Sequence, residues 1–246
     1  MSGAVDVRTS GACPSRLDHA VVVCDTLAQG VAWCEAVLGV VPGPGGRHTL
    51  MGTHNRLLPL GTPDGAVAYL ELIAIDPAAE APPADGRARW FGMDEPALRG
   101  QAARGPWLAH FVARTPDIAA ACAALAALGE DVGEPVAAAR ATPHGELRWQ
   151  ITVRRDGRPA HAGALPALIE WQGPHPCEGM RDVGLRLADL TVQAAQPEAV
   201  RAAHAAIGLV GVEVQPAPAA GPALVLRLST PRGPVVLRGG QPVPAR

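Results

Sequence analysis

Four ionisable side chains lie at apolar positions of strand-like segments in this 246-residue sequence. Two are histidines near the start of an apolar run and two are glutamates inside a later run: His19, Glu71, His110 and Glu170. In a half-buried strand alternate residues share one face, so each of the four is predicted to point inward with its apolar neighbours. A buried carboxylate without a partner is costly, and these positions therefore need partners.

A divalent metal ion is one partner that suits all four side chains. Two imidazoles and two carboxylates leave two of six octahedral positions open for water or substrate, and this donor set suits Fe, Mn, Ni, Co or Zn. The structural alternative is that each His is hydrogen-bonded within a core, while each Glu pairs with an arginine such as Arg114 or Arg148. No metal is bound in that alternative, and the residues leave both interpretations open.

Four other side chains are candidates for lining a pocket around this centre. His48 could act as an acid, a base or a third metal ligand, with Asn55 beside it; the alternative is a pair that stabilises a turn. Trp149 and Trp171 could wall a pocket for a flat or apolar substrate, or serve only as core aromatics.

The segments that carry these residues recur along the chain. Leu17-Asp18-His19-Ala20-Val21-Val22-Val23 lies over Leu108-Ala109-His110-Phe111-Val112-Ala113-Arg114, with a histidine at the same place in both. Each is followed by a helix-start residue and an amphipathic run that a glycine closes, Gly39 in the first copy and Gly129 in the second. Three short β-like segments come next, separated by turn residues. Each copy is therefore predicted to form a βαβββ unit.

The chain is predicted to be an α+β protein of tandem βαβββ modules whose strands form curved mixed sheets. The first module spans 15–77, a linker rich in Ala, Pro, Gly and Arg spans 78–105, and the second module spans 106–175. A third, degenerate module spans 183–240. It has Asp189 near the place of the histidines and apolar residues at the place of the glutamates, so it is predicted to be structural.

Three motifs in the first module resemble a known family. They are Gly45-Gly46-Arg47-His48, Gly52-Thr53-His54-Asn55-Arg56-Leu57 and Tyr69-Leu70-Glu71-Leu72-Ile73. They resemble the glyoxalase-like domain family of the vicinal oxygen chelate superfamily, and the resemblance extends from residue 17 to about residue 171. The order of the four ionisable residues also resembles the metal-ligand order of bacterial glyoxalase I.

The resemblance implies a metal-dependent enzyme that acts on a small molecule with vicinal oxygens. In such a lyase or isomerase the metal binds both oxygens and stabilises an enediolate-like anion, while Glu71 or Glu170 moves a proton. A dioxygenase of the same superfamily would use Fe(II) with two His ligands and one Glu. The competing class is a metal-free protein that binds an apolar or aromatic small molecule in the same pocket.

Composition excludes several other classes of function. Lysine is absent, which excludes a Schiff-base lysine and the phosphate-binding loop that needs one. The formal net charge of -2, with no cluster of arginines and aromatic residues, argues against nucleic acid as a partner. Residues 1–14 lack the apolar core of a signal peptide, and no segment has the length of a membrane span. We therefore expect a cytoplasmic protein whose partner is a small molecule, with a homodimer as one open assembly.

Overall fold

The computed structural model describes residues 15–79, 83, 85–142, 145–218, 221 and 223–240. These residues contain twelve strands and four α-helices. The first group is β1 (Arg16–Val23), α1 (Leu27–Trp33), β2 (Arg47–His48), β3 (Thr53–Gly61) and β4 (Val67–Ile75). The second is α2 (Pro96–Arg104), β5 (Trp107–Arg114), α3 (Ile118–Ala126), β6 (Glu134–Thr142), β7 (Gly145–Val153) and β8 (Ala167–Trp171). The third is β9 (Arg186–Ala194), α4 (Pro197–Ala206), β10 (Val212–Pro216), β11 (Ala223–Thr230) and β12 (Gly233–Gly239).

A strand, a helix and three strands follow one another three times along the chain. The helices of the three copies are α1, α3 and α4, and α2 lies between the first two copies. The twelve described strands form one mixed sheet with parallel and antiparallel pairs. The predicted α+β fold of repeated βαβββ units, including a third copy, is therefore confirmed. The module boundaries stay a prediction.

β1 joins the first two copies, because it pairs in parallel with β4 and antiparallel with β5. The pairing with β5 shifts register between Leu17 and His19. Such a bulge leaves one extra residue in a strand and breaks the simple alternation of side chains between the two faces. Asp18 is the extra residue here, so Leu17 and His19 pack on different faces of the sheet.

Two apolar cores occupy the two faces of this sheet. Val22 belongs to the core that also contains side chains of α1, α3 and α4, which we call the helix-side core, whereas Val21 and Val23 belong to the other core. We call the face that carries Val21 and Val23 the inner face. The alternation follows from the period of two in a strand, and it decides which ionisable side chains can meet.

The linker between the first two copies is more structured than its composition predicts. It contains a tight turn at Trp90–Gly92 followed by α2. Trp90, Phe91 and Leu98 are buried against the inner face, and Phe91 has a left-handed backbone with φ of 59°. Burying side chains of this size is favourable and fixes the position of the segment. This part of the linker therefore belongs to the core.

Two of the helices begin with a side-chain cap. The Thr26 hydroxyl accepts from the N–H of Gln29 before α1, and the Asp117 carboxylate accepts from the N–H of Ala120 before α3. Across the described ranges, none of the helices combines the length and the apolar character needed to cross a bilayer.

Candidate functional site

His19 and Glu71 lie together on the inner face, and both are buried. Nε2 of His19 is 3.6 Å from Oε2 of Glu71. The two side chains come from the neighbouring strands β1 and β4. Tyr69, which shares the face of Glu71, stacks on the imidazole of His19 with 4.4 Å between ring centroids. The structure therefore brings together the histidine and glutamate of the first copy.

Asp18 is hydrogen-bonded to Nδ1 of His19, the ring nitrogen that does not face Glu71. Its carboxylate is fully buried and accepts from Nδ1 of His19 at 2.7 Å, Nε1 of Trp171 at 2.9 Å and Nε2 of His175 at 3.1 Å. Burial alone would raise the pKa of Asp18, but the hydrogen bonds from His175 and His19 hold it well below its usual range. An ionised Asp18 keeps the proton of His19 on Nδ1, so Nε2 faces Glu71.

Asn55 holds Glu71 in the same way. Its Nδ2 donates to Oε1 of Glu71 at 2.6 Å, and its Oδ1 accepts from the N–H of Gly46 at 2.8 Å. Nδ2 also lies 3.3 Å from Nε2 of His48, whose Nδ1 is 3.0 Å from the Thr53 hydroxyl. Burial, together with the charges of nearby residues, lowers the pKa of His48 to about 3. His48 is therefore neutral, and its position fits holding Asn55 better than moving protons.

Oε2 of Glu71 is a buried acceptor that has no hydrogen-bond partner among the residues that the structure describes. The nearest ionisable group to it is the imidazole of His19, at a distance longer than a hydrogen bond. A buried carboxylate oxygen in this state is poised for a proton, a cation or a substrate atom.

Aromatic side chains enclose the space in front of Glu71. Trp149 and Trp171 both line this space, with 5.5 Å between their ring centroids. Trp90, from the linker, packs edge-on against His48 at 5.0 Å. They leave a cavity of about 20 Å³, which is close to the volume of one water molecule.

His110 lies on a neighbouring small cavity instead of on that of Glu71. Its Nε2 accepts from the N–H of Ala167 at 3.2 Å, and its ring packs against Phe91 at 5.7 Å between centroids. Burial, followed by the charge of His19, lowers the pKa of His110 to about 3. Its Nδ1 is buried with no partner among the described residues. Nε2 of His110 therefore already accepts a backbone hydrogen bond and does not face Glu71.

Glu170 points away from the inner face, which corrects the prediction that it joins His19 and Glu71. Ile169 and Trp171 line the Glu71 cavity, so the residue between them lies on the opposite face. Its Oε2 accepts from the N–H of Ile118 at the start of α3, at 2.8 Å. Glu170 therefore satisfies a helix terminus, where a negative charge is stabilising.

The predicted set of four metal ligands does not fit this arrangement. Within the described ranges, no group of three or more His, Cys, Asp or Glu side chains is placed to hold one ion. His19 and Glu71 make half of such a set: two ligands each about 2.1 Å from one ion can lie 3.6 Å apart. His110 and Glu170 do not complete it.

Asp18 and Arg140 are among the residues of the site that were not predicted from the sequence. Asp18 follows an apolar residue in an apolar strand, and its adjacency to His19 was the signal available. Arg140, from β6, lines the Glu71 cavity and interacts electrostatically with Tyr69 and Glu71. No sequence signal connects β6 with β4, because the two strands meet only through the fold.

Solved structures with a similar fold are known. A hypothetical protein from Staphylococcus aureus is 15% identical and has a TM-score of 0.55, with 92% of this chain and 86% of that chain covered. A variant of Streptomyces coelicolor methylmalonyl-CoA epimerase in complex with 2-nitronate-propionyl-CoA is 20% identical, with a TM-score of 0.40 and coverage of 64% and 96%. A variant of 4-hydroxymandelate synthase from Streptomyces coelicolor is 12% identical, with a TM-score of 0.46 and coverage of 95% and 66%. Comparison with curated protein sequences gives no significant match.

The sequence profile of the glyoxalase-like domain matches residues 17–208. This match includes the first two copies and continues through α4 of the third. It covers well over half of the chain, and the repeated βαβββ fold agrees with it. This chain therefore belongs to the glyoxalase-like domain family.

Proposed function

We propose that this chain is an isomerase or lyase that moves a proton on a small molecule with neighbouring oxygen atoms, and that Glu71 and His19 carry out the transfer. The observation that supports this most is the buried Oε2 of Glu71, which lacks a hydrogen-bond partner among the described residues and faces Nε2 of His19. A buried carboxylate oxygen without a hydrogen-bond partner destabilises the folded protein, and such groups are characteristic of functional sites. Both side chains are held from behind, His19 by Asp18 and Glu71 by Asn55.

Glu71 is placed to act as the base. Its Oε2 takes a proton from a carbon beside a carbonyl, and the electron pair of that C–H bond moves onto the carbonyl oxygen. His19, in its protonated form, donates from Nε2 to that oxygen, and Asp18 stabilises the positive imidazolium. If the carbon that loses its proton carries a hydroxyl group, Glu71 returns the proton to the former carbonyl carbon and the hydroxyl proton passes to His19. The carbonyl group has then moved to the neighbouring carbon, which is an isomerisation. If a leaving group departs from the anion instead, the result is an elimination.

A metal-dependent reaction would need more donors than the described residues bring to the cavity. Among those residues the ions Fe, Ni, Mn, Co and Zn would meet His19 and Glu71, and an Fe(II) dioxygenase needs one further histidine. The proton transfer proposed here uses the side chains of the chain itself. The second candidate is a metal-free binding protein. The small cavity favours it, because a bound molecule that does not react need not bring a carbon atom to Glu71.

Hydrogen exchange at carbon tests the proposal. 2-Oxo acids and α-hydroxyketones are incubated with the protein in D2O, and the loss of the C–H signal beside the carbonyl is followed by NMR. We expect the wild-type protein to catalyse exchange and Glu71→Gln to be slower by about 100-fold or more, because the amide is not a base. Glu170→Gln is the matched control, since that carboxylate lies on the opposite face.

Three outcomes contradict the proposal in different ways. Binding without exchange would make the chain a binding protein. Equal exchange by wild type and Glu71→Gln would remove Glu71 from the reaction. Exchange that stops after treatment with EDTA and returns with Co(II) would show that a metal ion takes part.

A further inference from the structure

A groove of about 440 Å³ lies beside the small cavity of Glu71. Much of its wall is apolar, including Pro44, Pro59, Leu147, Pro176, Met180 and Val183. This volume is typical of a site for a small ligand, whereas the cavity at Glu71 holds about one water molecule. A molecule whose reacting carbon reaches Glu71 must therefore leave most of its body in the groove.

Arg140 lines both the small cavity and the groove. Its half-buried guanidinium lies against Gly46, where a Cβ atom would come within 2.4 Å of Nη1. It makes no hydrogen bond with the residues that the structure describes, and its charge acts on Tyr69 and Glu71. An arginine keeps its charge, and its fork of N–H donors matches a carboxylate. The guanidinium is thus an unused anion-binding group at the boundary between the two spaces.

The acidic side chains around the groove are already engaged. Glu146 accepts from Nε of Arg148 at 2.5 Å, and Glu178 accepts from the backbone N–H of His175 at 3.0 Å. Arg181 also lines the groove and forms no ion pair with a described residue. Among the charged residues of the groove that form no ion pair with a described residue, Arg140 and Arg181 therefore outnumber Glu178.

We propose that the groove takes an elongated small carboxylic acid, that Arg140 binds its carboxylate, and that its apolar chain lies along the groove. This rests on the proposed function, because it places the acid group two bonds from the carbon that Glu71 deprotonates. Aliphatic 2-oxo acids have the required chemistry: a carboxylate, a neighbouring carbonyl oxygen and an acidic C–H on the next carbon.

Binding is measured separately from exchange, with 2-oxooctanoate and its methyl ester as probes. The change in tryptophan fluorescence reports occupancy, because Trp149 and Trp171 line the cavity. We expect the wild-type protein to bind the acid more tightly than the ester. Arg140→Gln should weaken binding of the acid at least tenfold and leave that of the ester unchanged, and Arg140→Lys should restore part of the loss.

Arg227→Gln is the matched control, because Arg227 lies on β11 in a partly exposed ion pair with Asp189 and lines neither the groove nor the small cavity. It should bind the acid as the wild type does. Equal binding of acid and ester by the wild type, no binding of the acid, or acid binding that Arg140→Gln leaves intact would each overturn the proposal. Failure of the proposed function has a different signature: Glu71→Gln and wild type both bind the acid through Arg140, yet neither exchanges its C–H.

Discussion

At the scale of the residue, the site depends on a carboxylate that has no exposed surface. Asp18 is fully buried and is hydrogen-bonded by two histidines and a tryptophan. One of these partners, His175, comes from the segment after β8, and another, Trp171, from β8 itself. A single ionised group therefore fixes the imidazole of His19 and also ties the end of the second copy to the first strand.

Asp18→Asn should lower both stability and proton transfer. The amide can still accept one hydrogen bond, but it cannot balance a positive charge on His19 or His175. We expect a loss of about 3 kcal/mol in the free energy of unfolding at pH 7, measured with urea. The exchange rate should fall more than the affinity for ligand, because Asp18 acts through His19 and touches no substrate.

The loss of stability in Asp18→Asn should depend on pH. The pKa of Asp18 is lower in the folded protein than its ordinary value of 3.8, so its contribution to stability is complete above that value and is lost as the pH falls further. The difference in unfolding free energy between wild type and Asp18→Asn should therefore shrink below about pH 4. A difference that stays constant down to pH 2 would contradict an ionised Asp18.

At the scale of the element, the two glycines before β2 let the chain approach β3 closely. A Cβ atom at Gly45 would lie 2.0 Å from the backbone oxygen of Asn55, which cannot move aside without moving its own side chain. The N–H of Gly46 meanwhile donates to the side chain of Asn55. This glycine pair therefore determines the position of Asn55, and through it that of Glu71.

Gly45→Ala should destabilise the protein by about 2 kcal/mol and slow the exchange reaction, because the displaced Asn55 no longer holds Glu71. Gly100→Ala is the control: it lies inside α2, where the nearest atom to a new Cβ is 3.9 Å away at the tip of Arg104. That variant should gain about 0.5 to 1 kcal/mol from helix propensity. Thermal unfolding of both variants provides the comparison, and a Gly45→Ala protein as stable as the wild type would refute the close approach.

The strands and helices of the three copies could be predicted because their apolar periods are regular and their helix caps are recognisable. The face of the sheet on which Glu170 lies could not be predicted. Its strand is apolar on both faces, so the sequence does not alternate between apolar and polar residues. Asp18 reaches the interior through a bulge, which apolar alternation does not reveal. Arg140 comes from a strand of alternating exposure whose partner in the site is distant in sequence.

At the scale of the whole molecule, the third copy closes the sheet around the helix-side core. β9 meets β3 through Gly61 and Arg186, and β12 meets β5 through Gly239 and Leu108. Together with the pairing of β1 and β5, these contacts join strands of all three copies into a ring. The third copy adds apolar side chains to this core, which agrees with a structural part in the fold.

Asp189→Asn should have little effect on function. Asp189 accepts from Nη1 of Arg227 at 2.6 Å in a partly exposed ion pair on the surface of β9. Pairs of this kind contribute about 0 to 1 kcal/mol, so we expect a change of that size in urea unfolding. Carbon–hydrogen exchange and 2-oxooctanoate binding should match the wild type. Loss of either in a folded variant would assign the third copy a part in the site.

The turn at Trp90–Gly92 makes the two halves of an internal repeat unequal. The first two copies carry equivalent histidines, and a symmetric pair of such copies would offer two equivalent sites. Phe91 packs on the ring of His110, while Trp90 packs on His48 at the rim of the other cavity. The linker thus breaks the pseudo-twofold symmetry of the first two copies. Under the proposed function each chain has one reacting centre, built on His19, because the histidine at the equivalent position of the second copy is packed against Phe91.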